Sequence, residues 1–279
     1  MKGAATGARW RQAARDALVL LALAAYASPF LWQALTSFRP EGELLVVPPL
    51  LPSRLTLEHY AAVLGRSVIG RALLNSAGIA ALTTVAALAL GVPAAYAAAR
   101  RSGPGARSLL LAMVAATALP AVAVVSPLYL VVRALGLRDT WAAVVLAHTG
   151  FALPLVVWLL AGFFREIPIA VEEAAELDGA GRWARLRWVL LPLAAPGVAS
   201  AGVLTFLFSW NEFLFAYTFT ATEASRTLPV ALALFPGVFE VPWGDIAAAS
   251  MLASVPPVLV VLALQRHLVR GLTAGALRE

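Results

Sequence analysis

Four acidic residues stand close together in one polar interval of the sequence: Glu172, Glu173, Glu176 and Asp178. Acidic side chains favour the N-terminal end of a helix, and two following glycines allow the backbone to turn. Beyond the glycines, arginines alternate with apolar residues: Arg182, Trp183, Arg185, Leu186, Arg187 and Trp188. The pattern predicts two short helices joined at a glycine corner and lying across a membrane face. Small residues there would let another protein approach closely: Ala174, Ala175 and Ala180.

A second candidate for chemistry is Glu212, an acid inside a long apolar stretch, with Asn211 beside it. A charge at the centre of a bilayer costs about 2.5–3.5 kcal/mol on insertion scales, so this side chain should face protein or water. Two interpretations stay open. Asn211 and Glu212 line a solute pathway or gate, or Glu212 holds helices together through an ion pair or a hydrogen bond. His148, also in an apolar stretch, is predicted to be a neutral packing residue rather than a proton relay.

Several classes of chemistry have no residues to support them. The chain has no cysteine, and its three histidines are far apart in sequence, so we predict no metal site. Gly103-Pro104-Gly105 lacks the lysine of a phosphate-binding loop, so ATP must be handled elsewhere. The paired aspartates, His-Glu-x-x-His and Gly-x-Ser-x-Gly motifs of membrane-embedded enzymes are missing from the sequence. We therefore predict no catalytic residues and no cofactor bound by this chain.

The elements that must position these residues are membrane helices. Of the 279 residues, 61% are hydrophobic and 13% charged, with a mean hydropathy of +0.83. A soluble domain keeps roughly 25% charged residues to cover its core, so this chain needs lipid as its solvent. The net charge of +6 is interleaved with the apolar stretches, which favours membrane topology over nucleic-acid binding as its explanation.

Six stretches are long enough to cross a bilayer, which takes about 20 apolar residues in a helix. They lie near residues 17–36, 72–99, 108–132, 140–164, 193–221 and 246–265. We predict an all-α polytopic protein in which residues 1–279 form one transmembrane domain. The first stretch follows a basic segment and contains Ala25-Tyr26-Ala27, but its length favours an uncleaved helix over a signal peptide.

Orientation follows from the loop charges, since cytoplasmic loops carry an excess of lysine and arginine. Fourteen of the 21 basic residues fall on one side of the six stretches and seven on the other. The more basic side holds both termini and the acidic interval within residues 165–192. We therefore predict that both termini and this loop are cytoplasmic.

The loop resembles the conserved loop of ABC importer permeases, whose pattern is E-A-A, three residues, G, nine residues, I, one residue, L-P. Here the matching residues are Glu173-Ala174-Ala175, Gly179, Val189 and Leu191-Pro192, and valine replaces isoleucine. Further stretches resemble the MalG-like subunits of carbohydrate importers: Asn75-Ser76, Trp210-Asn211-Glu212-Phe213, Thr227-Leu228-Pro229-Val230, Trp243-Gly244-Asp245, and a C-terminal segment from Gln265 to Leu277.

The resemblance implies a type I ABC importer permease in the bacterial inner membrane. It implies a heterodimer with a homologous permease, two cytoplasmic subunits that bind ATP and Mg, and an extracytoplasmic solute-binding protein. Glu173, Ala174, Ala175, Asp178 and Gly179 would then be the residues that couple the permease to the ATPase. The implied solute is a carbohydrate. Glycerol phosphate or an oligopeptide stays open as the solute, and a secondary transporter is a further alternative.

Overall fold

The computed structural model describes residues 2–44, 51–101, 103–235 and 241–274. All regular secondary structure in these ranges is helical. The chain divides into two compact units, one formed by residues 1–66 with 235–252 and the other by residues 67–234 with 253–279. The end of the C-terminal motif, from residue 275, lies outside the described residues.

In its described residues, the first unit contains three helices and the beginning of a fourth. They are α1 (Lys2–Ser37), α2 (Glu41–Leu44), α3 (Glu58–Gly65) and the first turns of α14 (Trp243–Ala274). Helix α1 leaves large apolar side chains uncovered, including Leu21 at 70% and Tyr26 at 75% exposure. Such a helix needs an apolar solvent, which agrees with a span facing lipid.

The second unit contains the remaining elements and the rest of α14. In chain order they are α4 (Ser67–Arg100), α5 (Pro104–Ala116), α6 (Ala121–Ala134), α7 (Trp141–Glu166), α8 (Ile169–Leu177), α9 (Arg182–Ala184), a π-helical turn (Arg185–Leu190), α10 (Leu191–Leu193), α11 (Ala195–Asn211), α12 (Leu214–Phe219) and α13 (Leu228–Ala233).

Helices α4, α7 and α11 form the core of the second unit. Small residues bring α4 close to α7, because a Cβ added at Gly91 would lie 2.5 Å from Val156 Cγ1. Close approach at small residues is how membrane helices gain van der Waals contact without a hydrophobic driving force. At one end of this core, Leu160, Phe164 and Leu190 are fully buried together.

Four helical segments are long and apolar enough to cross a membrane without interruption: Ala14–Ser37, Ser67–Arg100, Trp141–Glu166 and Trp243–Arg266. They match the first, second, fourth and sixth predicted stretches. Two bent pairs raise the number of spans to six if each pair counts as one: Leu110–Ala116 with Ala121–Ala134 at 93°, and Arg182–Leu193 with Ala195–Asn211 at 81°. The all-α polytopic fold is confirmed for the described chain.

The third and fifth predicted stretches are not continuous helices. The third breaks before Pro120, whose ψ of 126° places it in extended backbone at the start of α6. Within the fifth, α11 ends at Asn211 and α12 begins at Leu214, with Glu212 extended at ψ 131° between them. Hydropathy alone does not show these breaks, because apolar residues continue through both of them.

Candidate coupling loop and intramembrane polar cluster

The acidic loop has the predicted form of two short helical segments with a glycine corner between them. Helix α8 follows Pro168, and its C-terminus closes through two backbone bonds, Gly179 N to Glu176 O at 2.9 Å and Ala180 N to Ala175 O at 2.9 Å. Gly179 has φ +83°, the left-handed conformation that this helix ending requires. The residue type at position 179 therefore fixes where α8 stops.

The predicted coupling residues lie on two different faces of this loop. Glu173, Ala174, Asp178 and Gly179 are exposed and close together in the last turns of α8 and at the corner. Ala175 is instead 9% exposed and faces the protein. Four of the five predicted residues are thus on the surface, and the fifth packs beneath them.

Glu172 fixes α8 to the core, although sequence reasoning gave it no role. Its carboxylate accepts a hydrogen bond from the Tyr96 hydroxyl at 2.8 Å and forms an ion pair with Arg100. Arg100 also donates to the Ile167 carbonyl at 3.1 Å. The signal in the sequence was helical spacing, because Glu172 and Ala175 are three residues apart and share the buried face of α8.

The segment after the corner is held by one ion pair and by apolar burial. Arg185 Nη1 lies 2.5 Å from Glu176 Oε2, which joins the π-helical turn to α8. Leu186 and Leu190 are buried in the same core as Phe164. Apolar residues on one side and charges on the other therefore keep the loop folded against the ends of α4 and α7.

The break between α11 and α12 is built around Glu212. Its carboxylate accepts hydrogen bonds from the amides of Phe215 at 2.9 Å and Ala216 at 3.1 Å, which are free donors in the first turn of α12. His148 Nε2 lies 2.8 Å from Glu212 Oε2. The side chain of Glu212 is 10% exposed and that of His148 is fully buried. The acid therefore faces protein, as its placement in an apolar stretch requires.

His148 extends this cluster to a third helix. Its Nδ1 lies 2.7 Å from Ser209 Oγ, and that hydroxyl lies 3.4 Å from Thr83 Oγ1 on α4. The neutral imidazole satisfies both contacts when Nε2–H donates to Glu212 and Nδ1 accepts from Ser209. The predicted packing role of His148 agrees with this arrangement.

Asn211 differs from its neighbour because it is exposed. Its side-chain amide donates to the Leu207 carbonyl one turn back along α11 at 2.8 Å. The buried acid and the exposed amide are therefore adjacent in sequence and face different surroundings. A role for either residue in a solute pathway stays a prediction.

Asp139 organises the loop between α12 and α13. The residue has φ +62°, and its carboxylate accepts from Ala221 N at 2.8 Å, Thr222 N at 3.0 Å, Thr222 Oγ1 at 2.7 Å and the Ser225 hydroxyl. Although partial burial opposes the effect, the bonds from Ser225, Ala221 and Thr222 hold the pKa of Asp139 well below its usual range. The group is therefore ionised at neutral pH.

Asn75 and Ser76 hold the same loop from α4. Asn75 Nδ2 donates to the carbonyls of Glu223 at 3.2 Å and Arg226 at 2.9 Å, and Ser76 Oγ accepts from Leu228 N at 2.8 Å. Their partners are backbone groups of the loop and the first residue of α13.

The first unit has a buried polar cluster of its own. His59 Nδ1 lies 2.8 Å from Asp245 Oδ1, and His59 Nε2 lies 2.9 Å from the Arg39 carbonyl. Arg66 donates to the other oxygen of Asp245 at 3.1 Å. Gly244 packs directly on the His59 ring, where a Cβ would collide with it. Two of the residues in the Trp243-Gly244-Asp245 motif are thereby assigned structural contacts.

No group of three or more histidine and acidic side chains in the described part of the chain is arranged to hold a metal ion.

Comparison with known proteins identifies the family. The sequence profile of the family described as "Binding-protein-dependent transport system inner membrane component" matches residues 87–274. The chain belongs to this family. It is a multi-pass membrane permease, and the resemblance to carbohydrate-importer permeases is confirmed by its relatives.

Two relatives illustrate the similarity of this permease to characterised ones. It is 43% identical to the trehalose transport system permease protein SugB of Mycobacterium tuberculosis, over 90% of this chain and 92% of the relative. It is 36% identical to the trehalose/maltose transport system permease protein MalG of Thermococcus litoralis, over 90% and 91%. Both alignments cover almost the whole permease.

A solved structure shows the same fold. The permease superposes on a chain of a bacterial ABC transporter involved in the import of the acidic polysaccharide alginate, with a TM-score of 0.79. The match covers 92% of this chain and 96% of that chain at 21% sequence identity. At that identity the likeness establishes the architecture of the permease.

Proposed function

We propose that this permease imports a carbohydrate as one half of a heterodimeric pathway, powered by ATPase subunits that dock on its loop 165–192. The observation that carries the proposal is the division of α8 into two faces. Glu173, Ala174, Asp178 and Gly179 are exposed, while Glu172 and Ala175 anchor the helix behind them. A surface fixed in this way can transmit a displacement of its partner to α4 and α7.

The energy source is a partner subunit, because the sequence contains no phosphate-binding loop. ATP and Mg would bind between two such subunits on the cytoplasmic side, where both termini of the permease also lie. ATP shifts the permease only if it binds one arrangement of the ATPase pair more tightly, and the loop ties that arrangement to an outward-open pathway. Hydrolysis then returns the complex to the inward-open state.

The proposed solute class rests on the relatives. Their names specify trehalose, trehalose/maltose and sulfoquinovosyl glycerol, the last at 38% identity in Agrobacterium fabrum. A second similar structure, with a TM-score of 0.66, is that of a bacterial alginate ABC transporter in complex with an alginate pentasaccharide-bound periplasmic protein. We therefore infer that an extracytoplasmic binding protein delivers the sugar, and glycerol phosphate or an oligopeptide is less favoured as the solute.

Within the membrane we assign Asn211 and Glu212 to the solute pathway in different capacities. Asn211 is exposed beside the break and offers an amide to a sugar hydroxyl. Glu212 holds the backbone of the break through the amides of Phe215 and Ala216. In this proposal the buried acid positions the exposed amide.

Uptake into vesicles tests the function directly. The permease is reconstituted with its second permease, ATPase and binding protein, and labelled trehalose, maltose, glycerol 3-phosphate and an oligopeptide are compared. We expect ATP-dependent accumulation of a sugar. Accumulation without the ATPase would contradict the proposal and favour a secondary transporter.

Cross-linking tests the docking surface separately. The natural chain has no cysteine, so a single introduced cysteine is the only thiol in the permease. We expect Ala174→Cys to cross-link to the ATPase through a short bifunctional reagent. Leu135→Cys is the matched control, because Leu135 is 64% exposed and follows α6. Equal yields at the two positions would contradict docking on α8.

A further inference from the structure

A basic cavity lies beside the coupling loop, between the end of α4 and the segment from α9 into the π-helical turn. Its volume is about 690 Å³. The polar part of its wall comes from Arg100, Arg101, Arg182, Arg185, Tyr96 and Trp183. Four arginines around one cavity form an anion site unless carboxylates neutralise them.

The carboxylates neutralise only half of this charge. Glu172 pairs with Arg100 and Glu176 pairs with Arg185. Within the described ranges, no carboxylate forms an ion pair with Arg101 or Arg182. Two of the four arginines at the cavity, Arg101 and Arg182, therefore carry positive charges that no described carboxylate pairs with.

One buried donor also lacks a partner. The side chain of Arg185 is 12% exposed, and its Nε–H has no hydrogen-bond acceptor in the described chain. A buried donor without an acceptor costs about 1–3 kcal/mol, so the guanidinium of Arg185 is only partly satisfied by Glu176. The cavity therefore offers the two guanidinium groups of Arg101 and Arg182, which have no carboxylate partner among the described residues, to one ligand.

The surroundings of the cavity are those of a membrane interface. The rest of its wall is apolar and includes Pro93, Ala97 and Leu186. Trp183 and Trp188 are 73% and 71% exposed, and Arg187 lies over the Trp188 ring with its Cζ 5.1 Å from the centroid. Exposed tryptophans are enriched at the depth of lipid headgroups. The apolar span of α4 ends at the same place, at Arg100.

We propose that this cavity binds the phosphate group of an anionic phospholipid. Guanidinium groups bind phosphate oxygens through paired N–H bonds, and basic pockets between membrane helices bind lipid headgroups. The apolar wall accommodates the glycerol backbone and the start of the acyl chains. A free phosphate ion gains the same charge contacts but nothing from this wall, so the lipid binds more tightly.

The site links lipid binding to the coupling loop, since its walls come from α4 and from the segment that follows α8. A bound phosphate bridges Arg101 and Arg182, which are 81 residues apart in the sequence. Occupancy therefore opposes separation of the loop from α4. The binding itself requires no solute and no ATPase, and it does not depend on the transport proposal above.

Native mass spectrometry of the full-length permease in detergent micelles tests the proposal. Phosphatidylglycerol, phosphatidylcholine and inorganic phosphate are titrated separately onto the wild type and onto the double variant Arg101→Gln/Arg182→Gln. Each interfacial arginine contributes about a fivefold factor in affinity for anionic lipid. We expect the double variant to bind phosphatidylglycerol about 25-fold more weakly, with little change for phosphatidylcholine.

Two further variants keep the test decisive. Arg54→Gln/Arg133→Gln removes the same charge from two exposed arginines that do not line the cavity, and it should bind phosphatidylglycerol like the wild type. Arg101→Lys/Arg182→Lys retains the charge without the paired N–H geometry and should lose less affinity than the glutamine pair. If the glutamine double variant misfolds, this lysine pair decides. Equal phosphatidylglycerol affinity in the wild type, the lysine pair and the glutamine pair would overturn the site. Displacement of phosphatidylglycerol by inorganic phosphate at equal concentration would overturn the lipid assignment.

Discussion

Two glutamates of this permease with largely covered side chains, Glu172 in the coupling loop and Glu212 at the break between α11 and α12, stabilise the fold in different ways. The carboxylate of Glu172 contacts Arg100, and the carboxylate of Glu212 contacts His148. Glu172 fastens a short helix to the core and leaves its neighbour Glu173 exposed. Glu212 has no such neighbour, and its own carboxylate caps the next helix.

The two regions differ in how many acidic side chains share the structural roles: two in the docking loop and one at the helix break. In the loop, one acid provides the anchor and the adjacent acid is available to a partner, so stability and coupling are separable by mutation. At the break, anchoring and capping fall on one carboxylate, so its loss affects the backbone directly.

The largest effect is expected for Glu172→Ala. Removing one partner of a buried ion pair leaves an uncompensated charge and costs about 3–5 kcal/mol, here at Arg100. We expect a lower melting temperature in detergent and loss of ATPase co-purification. Glu173→Ala is the matched control, since an exposed acid changes stability by no more than about 0.5 kcal/mol. If both variants melt at the wild-type temperature, Glu172 does not anchor the loop.

Glu212→Ala should have an intermediate effect. It removes a charged acceptor from two amides and from His148, and hydrogen bonds to charged groups contribute about 1.5–3 kcal/mol. We expect reduced uptake while the ATPase still co-purifies, because the loop is untouched. Glu212→Gln, which keeps one acceptor oxygen, should lose less.

Glu223→Ala is the control for Glu212, because this acid is exposed and contributes only its backbone carbonyl to Asn75. It should transport like the wild type. Normal uptake by Glu212→Ala would remove the acid from the pathway altogether. Loss of ATPase co-purification in that variant would contradict the separation of the two regions.

The sequence predicts much of this architecture and misses the parts that depend on backbone direction. Hydropathy identifies all six apolar stretches, and residue spacing identifies the loop with its glycine corner. Hydropathy does not predict the breaks at Pro120 and Glu212, because apolar residues occur on both sides of each. Helical spacing places Glu172 on one face of α8 with Ala175, but it does not reveal the anchor, since the partner Arg100 is 72 residues away and only the fold joins them.

A third carboxylate, Asp139, gives a smaller and local effect. Asp139→Asn keeps the side-chain shape and tolerance of positive φ but replaces charge-assisted bonds by neutral ones, a loss of about 1 kcal/mol. We expect the amides of Ala221 and Thr222 to exchange hydrogen about fivefold faster, measured by mass spectrometry of that peptide. Peptides from α7 beyond its first turn should exchange at the wild-type rate.

The pH dependence of that difference follows from the lowered pKa of Asp139. A carboxyl with a lowered folded-state pKa contributes its full stability above its unfolded value of about 3.9 and loses it as pH falls toward the folded value. The ratio of the amide exchange rates in Asp139→Asn and the wild type, measured at Ala221 and Thr222, should therefore be the same from pH 5 to pH 8. A difference that disappears already at pH 6 would contradict the assignment.

Gly179→Asp should change stability about as little as Asp139→Asn does, and should nevertheless abolish coupling. Aspartate is among the residues that tolerate the left-handed conformation, and a Cβ at position 179 meets nothing within 4 Å, so α8 keeps its ending at a cost of about 1 kcal/mol. The new charge stands on the exposed face beside Asp178. We expect a melting temperature lowered by only about 2–4 °C, with ATP hydrolysis uncoupled from uptake or no ATPase assembly. Gly105→Asp adds the same charge at another exposed, uncrowded glycine and should transport normally, so an equal loss in both would mean that charge rather than position matters. If Gly179→Asp assembles and transports like the wild type, the exposed face of α8 is not the coupling surface, and the anchor at Glu172 serves only the fold.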